Sequence, residues 1–340
     1  MRSTFSGLIS TSKPMNILIK SNKNTPGYVF DTVMGTASDI KEMKIRGAGR
    51  IARAGASAMG GFAENYPGGS LQEFVKDIET AKKMLLESRP TAVSLWNGVQ
   101  ACVREMKDAR TLEEAKGSVI RNAELFVEMS SNAVETIAKI GANRVQKGDT
   151  ILTHCNSSAA LGVIKEAHAQ GKDIKVYATE SRPWRQGLLT VKELSEAGVD
   201  VTLIIDSAVR SVMKRTDKVF VGADTVTSNG AVINKIGTSQ LALAADEARV
   251  QFSVCTETYK FSPMTLFGEM VEIEERDCEE VVDAEALPKD VKVYNPVFDT
   301  TPPKYIDAII TEMGILSPGS VYDVMVRQLG GDIFRMREIQ

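Results

Sequence analysis

From about Gly148 onward the chain alternates short β-rich runs with helical stretches, and this rhythm limits the fold more than any other feature. The β-rich runs are Thr150–His154, Lys175–Thr179, Val201–Ile205, Lys218–Gly222 and Gln251–Thr256. Helical stretches lie between them at Ala159–Gln170, Thr190–Ala197 and Gly237–Ala248, with a shorter one at Ser207–Lys214. Strand, helix, strand at roughly 25-residue intervals is the pattern of βαβ crossovers, which bury a parallel sheet between helices. No GxGxxG follows the first run and no GxxxxGK[ST] occurs, so dinucleotide and P-loop readings fail. The expectation is a Rossmann-like sheet without the usual nucleotide loops.

Upstream of Gly148 the periodicity is helical. Thr111-Leu-Glu-Glu114 reads as a capping box, and Val119, Ile120, Ala123, Phe126 and Val127 keep helical spacing in a run to about Ile140. Gly141 fits the end of that helix. Segments 70–87 and 91–107 read as two further helices, parted at Arg89-Pro90 because proline breaks the hydrogen-bond ladder. Residues 1–30, rich in Ser, Asn, Thr and Lys, read as a flexible lead-in. The expected class is α/β: a helical N-terminal domain over 31–148, then a Rossmann-like domain with the active site over 149–340. Residues 283–340, with five prolines, read as a tail returning to the sheet through one strand at Ile306–Thr311.

Composition narrows the function. A net charge of -3 argues against nucleic acid or an anionic membrane as partner. No apolar run approaches the roughly 20 residues that span a bilayer, and the N-terminus lacks a signal-peptide core. The four cysteines, Cys102, Cys155, Cys255 and Cys278, form no CxxC pair, which points to a reducing, cytoplasmic setting. Two histidines make a His-rich metal site an unpromising reading, and no metal or cofactor is expected. Forty-one Lys and Arg residues leave room for a local cationic pocket.

Ligands of an open parallel sheet bind beyond the carboxyl ends of its strands. The residues just past the five runs are His154-Cys155-Asn156-Ser157-Ser158, Glu180-Ser181-Arg182, Asp206-Ser207, Asp224, and Glu257 with Lys260. A lone cysteine is more often a small buried hydrophobe, and Cys102, Cys255 and Cys278 keep that reading. For Cys155 the convergence of four other strand ends reverses it. A thiol before helix 159–170 is expected to have its pKa lowered from about 8.5 by the unpaired N–H groups, suiting a base or nucleophile. Asp224 ends a buried strand, where a carboxyl held protonated suits a proton donor; a turn cap is the plain alternative. Asp206 reads as an N-cap, and His154 as a packed, satisfied histidine. Arg182 either reaches the site or forms a salt bridge at a turn.

Asn234-Lys235-Ile-Gly237-Thr238 leads into a helix, and Arg46-Gly47-Ala48-Gly49 interrupts one. A cation with glycine at a helix start is how backbone and side chain cradle phosphate, although each such motif alone is weak. Arg89 and Lys260 add two cations, more than a single phosphate needs.

Taken together, Arg46-Gly-Ala-Gly49, Arg89-Pro-Thr-Ala-Val93, Thr153-His-Cys-Asn156, Glu180-Ser-Arg-Pro183, Gly222-Ala-Asp224 and Asn234-Lys-Ile-Gly237 resemble, in order, the shared motifs of one superfamily. It contains the sugar-phosphate isomerases for methylthioribose 1-phosphate and ribose 1,5-bisphosphate, and regulatory subunits of the exchange factor in eukaryotic translation initiation. The resemblance spans about residues 36–330. It implies the same fold as the periodicity does. Regulatory subunits generally lack the cysteine–aspartate pair, so Cys155 and Asp224 place the chain with the enzymes. Glu257-Thr-Tyr-Lys-Phe261 looks like the archaeal bisphosphate isomerases, and Lys260 suits a second dianion where the other substrate carries an apolar thioether. Gln186-Gly-Leu-Leu-Thr190 and Thr300-Thr-Pro-Pro-Lys304 look closer to the same enzymes.

The resemblance implies conversion of ribose 1,5-bisphosphate to ribulose 1,5-bisphosphate through a phosphoenolate, with Cys155 as base and Asp224 as acid. It implies substrate contacts from Arg46, Gly47, Ala48, Gly49 and Arg89, and from Ser157, Ser158, Ala159, Asn234, Lys235 and Lys260. Ser158 stands where some of these enzymes have Lys, so that phosphate contact is missing or supplied elsewhere. AMP as an activator, a homo-oligomer (dimer or hexamer) and a place between AMP degradation and Rubisco are further implications. The rivals are a methylthioribose-1-phosphate isomerase and a non-catalytic subunit.

Overall fold

The apolar stripes of the N-terminal half fold into five helices around a shared core. In a computed structural model, which describes residues 28–288 and 290–329, they are α1 (Tyr28–Lys41), α2 (Ala48–Glu64), α3 (Leu71–Ser88), α4 (Val93–Val103) and α5 (Leu112–Ala142). Met59, Phe62, Phe74, Leu85 and Leu95 are fully buried between them. The expected lead-in lies outside the described residues up to residue 27, and Tyr28–Phe30 already belong to α1.

Capping explains where these helices start. Ser70 forms a complete capping box that the sequence reading missed: its Oγ accepts from the Glu73 N–H at 3.1 Å, and its own N–H donates to the Glu73 carboxylate at 2.8 Å. At Thr111 the box is half formed. The hydroxyl accepts from the Glu114 N–H at 3.2 Å, but the Glu114 carboxylate accepts from Arg110 N–H instead. The helix expected over 91–107 is divided, with α4 ending at Val103 and a 3-10 turn over Glu105–Asp108. Helix α5 passes the expected stop at Gly141 by one residue. Its first half, with Val119 and Phe126, packs in the helical core, while Ile137 and Ala142 pack in a second core beneath the sheet.

The remainder runs β1 (Thr150–Thr153), α6 (Ser158–Ala169), β2 (Lys175–Thr179), α7 (Gly187–Glu196), β3 (Asp200–Ile204), α8 (Val209–Met213) and β4 (Lys218–Val221). It continues with β5 (Thr225–Val226), β6 (Val232–Lys235), α9 (Thr238–Ala248), β7 (Gln251–Cys255), β8 (Phe298–Thr301), β9 (Ala308–Thr311), β10 (Gly314–Leu316) and α10 (Val321–Leu329). The five expected strands are present to within a residue at each end. A seven-stranded sheet has the order β10-β9-β7-β4-β1-β2-β3, all parallel except β10. Strands β5, β6 and β8 form a separate antiparallel sheet. It was not expected, because two- and four-residue strands are too short to display a period. In the tail the single expected strand becomes the β9–β10 hairpin, preceded by β8. No described helix is long and apolar enough to cross a membrane.

Strands β2 and β3 continue from β1 on one side, and β7 and β9 from β4 on the other. The order therefore reverses between β1 and β4, and a crevice opens at their carboxyl ends. Because the Ser70 box secures the first turn of α3, Ser70→Ala should lower unfolding free energy by about 1 kcal/mol. Urea denaturation checks this through a lowered midpoint at unchanged slope.

Candidate active site

The crevice at the β1–β4 reversal is a cavity of about 730 Å³, walled by the strand ends and by the start of α2. Eight Lys and Arg side chains and five carboxylates line it, a cationic excess inside a chain of net charge -3. Of the expected site residues, Arg46 to Gly49, Arg89, Cys155, Ser157, Ser158, Asp224, Asn234, Lys235 and Lys260 all line this cavity. Ala159 does not. It is buried in the sheet core, because the first turn of α6 directs its methyl inward.

Cys155 follows β1 in a left-handed conformation, φ 65°. Its N–H donates to Ser181 Oγ at 2.8 Å and its carbonyl accepts from Thr190 Oγ1 at 2.6 Å, so both sides of the residue are held. The thiol corrects the sequence expectation. Burial pushes its pKa up to about 11, with Lys235 pulling it down and Asp224 and Asp206 adding to the rise. The first residue of α6 is Ser158 and its cap is Ser157, so Cys155 stands outside the turn whose N–H groups were expected to stabilise a thiolate. Cys102 and Cys255 are fully buried and away from the cavity.

Asp224 follows β4, two residues after Gly222, whose Cβ, if it had one, would collide with the Ser157 side chain. That close approach brings the ends of β1 and β4 together. Burial raises the Asp224 pKa against the pull of Lys260, Lys235 and Arg89, and Glu257 adds to the rise. The end of β7 supplies Glu257 and Lys260, both buried and paired at 2.7 Å. Burial opposes ionisation of Glu257, yet Lys260 and the Tyr259 hydroxyl hold its carboxyl below the usual range. Lys260 thus brings its own counter-charge to the site.

Lys235 ends β6 and lies over the Phe298 ring at 5.2 Å. Among the described residues it makes no ion pair. Asn234 is buried and donates to Thr238 Oγ1 at 2.9 Å. The start of α9 is occupied: Asp299 accepts from the Gly237 N–H at 2.8 Å and the Ser239 N–H at 3.1 Å, while burial pushes its pKa up to about 6. The starts of α2 and α6 differ. Neither has an acidic residue in its first turn, α2 has no side-chain cap, and both border the cavity. The α2 N-terminus is therefore free to face an anion, whereas at α6 the Ser157 Oγ caps the Ala160 N–H at 3.4 Å.

At the mouth, Arg46 stacks over Trp184 at 5.9 Å. Arg89 pairs with Glu274 at 3.2 Å, and Arg276 with Glu274 at 2.9 Å and Glu280 at 3.2 Å. Trp184 and Arg276 were missed as lining residues. Trp184 directly follows the quoted Glu180-Ser-Arg-Pro183, but Arg276 lies in a stretch without period or motif. Arg182 does not reach the cavity; it donates to the Val281 carbonyl at 2.9 Å. Asp206 does not cap the helix after it. It accepts from the N–H groups of Ser181 (2.8 Å) and Arg182 (2.7 Å), fixing the turn after β2.

A family model described as the Initiation factor 2 subunit family matches residues 44–318. A ribose 1,5-bisphosphate isomerase of Archaeoglobus fulgidus is 53% identical over 88% of this chain and 95% of its own length. One of Methanocaldococcus jannaschii is 50% identical over 88% and 96%. Among solved structures, a translation initiation factor eIF-2B of Pyrococcus horikoshii superposes with a TM-score of 0.72 at 32% identity, covering 86% of this chain and 98% of that one.

With Cys278 replaced by Ser and Cys102 and Cys255 buried, iodoacetamide reports on Cys155. Its alkylation rate should climb about tenfold per pH unit from 7 to 10, because only the thiolate reacts. Lys235→Met should slow the reaction at every pH. A plateau below pH 9 would contradict a thiol dominated by burial.

Proposed function

This chain belongs to the Initiation factor 2 subunit family, and we infer that within it the chain is an isomerase converting ribose 1,5-bisphosphate to ribulose 1,5-bisphosphate. The observation that carries the reading is a thiol and a carboxyl on the two strand ends flanking the sheet reversal, in a cation-lined cavity bordered by the uncapped start of α2 and by the start of α6. Relatives that are about half identical over nearly their whole length are isomerases of this substrate.

The starts of α2 and α6 divide the substrate. Arg46 to Gly49 at α2, with Arg89, hold one phosphate. Ser157 and Ser158 at α6, with Asn234, Lys235 and Lys260, hold the other. In the reaction the Cys155 thiolate takes the C2 proton, and the C–H electrons form a C1=C2 double bond. The C1–O4 bond breaks, and O4 takes the proton of Asp224. The Asp224 carboxylate then removes the C2 hydroxyl proton while Cys155 returns its proton to C1. The product is a C2 ketone with both phosphates in place, and both groups regain their starting states.

This chemistry needs an ionised thiol beside a protonated carboxyl. The raised pKa of Asp224 favours the second condition, whereas the raised pKa of Cys155 opposes the first. The reactive form is therefore a minority at neutral pH, and Lys235 is the group that enlarges it. Of the four cations assigned to the phosphates, Lys235 and Arg46 have no carboxylate partner among the described residues and meet the substrate charge first. Lys260 joins by loosening its hold on Glu257. We extend the proposal to a cytoplasmic homo-oligomer activated by AMP, on the resemblance of its motifs alone.

The test is turnover of ribose 1,5-bisphosphate against methylthioribose 1-phosphate, with and without AMP. The bisphosphate alone should react, and Cys155→Ser and Asp224→Asn should each cost about 10²–10⁴-fold in kcat. Turnover of the thioether substrate would replace the proposed specificity. No turnover of either would favour a binding subunit.

A further inference from the structure

We propose that Ser181, Thr179 and His154 are positioning residues, joined in a hydrogen-bonded chain of fixed direction that ties the Cys155 backbone to the loop carrying Lys235. The proposal rests on the reading of Cys155 as the base.

The direction of the chain follows from its last member. His154 Nε2 lies 2.8 Å from the Ile236 carbonyl, which can only accept, so Nε2 carries a proton. The ring is 1% exposed, and burial, the largest influence on it, holds its pKa below the ordinary value. A neutral imidazole has one N–H, so Nδ1 is an acceptor. Thr179 Oγ1, 2.6 Å away, must donate to it. Having given its proton to the ring, Thr179 Oγ1 can only accept from Ser181 Oγ at 3.1 Å, the nearest of three acceptors beside that hydroxyl, the others being His154 Nδ1 at 3.4 Å and the Thr179 carbonyl at 3.5 Å. Ser181 Oγ in turn accepts from the Cys155 N–H at 2.8 Å. Thr179 and Ser181 are both fully buried. Protons thus point one way from the main chain of Cys155 to the main chain of Ile236, next to Lys235.

Each end of the chain grips a strained or crowded point. Cys155 and Ser181 have φ of 65° and 58°, a left-handed conformation that side chains other than glycine adopt at a cost of about 1–3 kcal/mol. Asp206 holds the Ser181 N–H and Thr190 holds the Cys155 carbonyl, so the chain and these two bonds together fix the thiol. At the far end the His154 ring packs on Gly237, where a Cβ would lie 3.0 Å from the imidazole. The Lys235 ammonium is the charge that pulls the Cys155 thiol down. One buried network therefore sets the position of the thiol relative to its cation. Removing one hydroxyl leaves a buried neighbour without its partner.

The experiment uses the full chain with Cys278→Ser and compares Thr179→Val, Ser181→Gly and Thr179→Ser. Glycine accepts the conformation of Ser181, and valine keeps the shape of Thr179, so each deletes a hydroxyl with little other change. Thr179→Val and Ser181→Gly should each lower kcat on ribose 1,5-bisphosphate about tenfold or more while KM stays within about twofold. Both should also displace the pH curve of Cys155 alkylation, and Thr179→Ser should restore both readouts. Unchanged kcat and an unchanged alkylation curve in Thr179→Val would overturn the proposal. So would losses in both deletions that track loss of folded protein and are not restored by Thr179→Ser. Cys155→Ser serves as the control: if it retained turnover, the base reading would fall, and the alkylation curves alone would decide on the chain.

Discussion

Two half-buried ionisable groups line one cavity at the reversal of a parallel sheet, and the rest of the site follows from what their withdrawal from water requires. Cys155 and Asp224 each hold a proton more tightly than they would in water, and each negative charge makes the other harder to form. Neighbouring cations, with the Asn156 N–H on the thiol of Cys155, make ionisation accessible. Lys235, Lys260 and Arg89 supply them from three directions: the end of β6, the turn after β7 and the C-terminus of α3. The small antiparallel sheet is what brings Lys235 there, since β6 is held in register between β5 and β8.

The cations are not equivalent. Lys260 and Arg89 are neutralised in place by Glu257 and Glu274, whereas Lys235 and Arg46 rest against the aromatic faces of Phe298 and Trp184. A buried lysine without a counter-ion is costly, and Glu257 removes that cost for Lys260. A ring face leaves the charge of Lys235 and Arg46 uncancelled. The cavity is thus able to hold a high density of positive charge without unfolding around it.

Much of this was legible in the amino-acid sequence. The five central strands were visible because each is a β-rich run bounded by helical stretches, and their carboxyl ends named Cys155, Asp224, Glu257 and Lys260 before any coordinates. What failed did so for identifiable reasons. The Cys155 pKa was expected to be low from its distance in sequence to a helix, but burial outweighs both Lys235 and the one backbone N–H, that of Asn156, which pull it down. Asp206 looked like a cap because it precedes a helical stretch, yet its partners are the backbone of Ser181 and Arg182, 25 and 24 residues away. Arg276 had no local signal at all, for its place is set by carboxylates in an irregular segment. The roles of Ser181 and Thr190 were equally hidden, since single hydroxyls in or beside buried elements carry no pattern.

Helix α5 belongs to two cores at once, and this has a mechanical consequence. Its 31 residues make a rod of about 46 Å. One end is packed among the helices that carry Arg46 and Arg89, and the other among α6 and the sheet that carry Cys155 and Asp224. A rod this long is a lever. Tilting it by about 3° carries one end about 2 Å past the other, enough to turn a hydrogen bond into open space. Ser131 and Val134 of this helix line the cavity, so the cavity's width is geared to the angle of one helix, and an apolar substitution seated elsewhere on α5 would be felt in it.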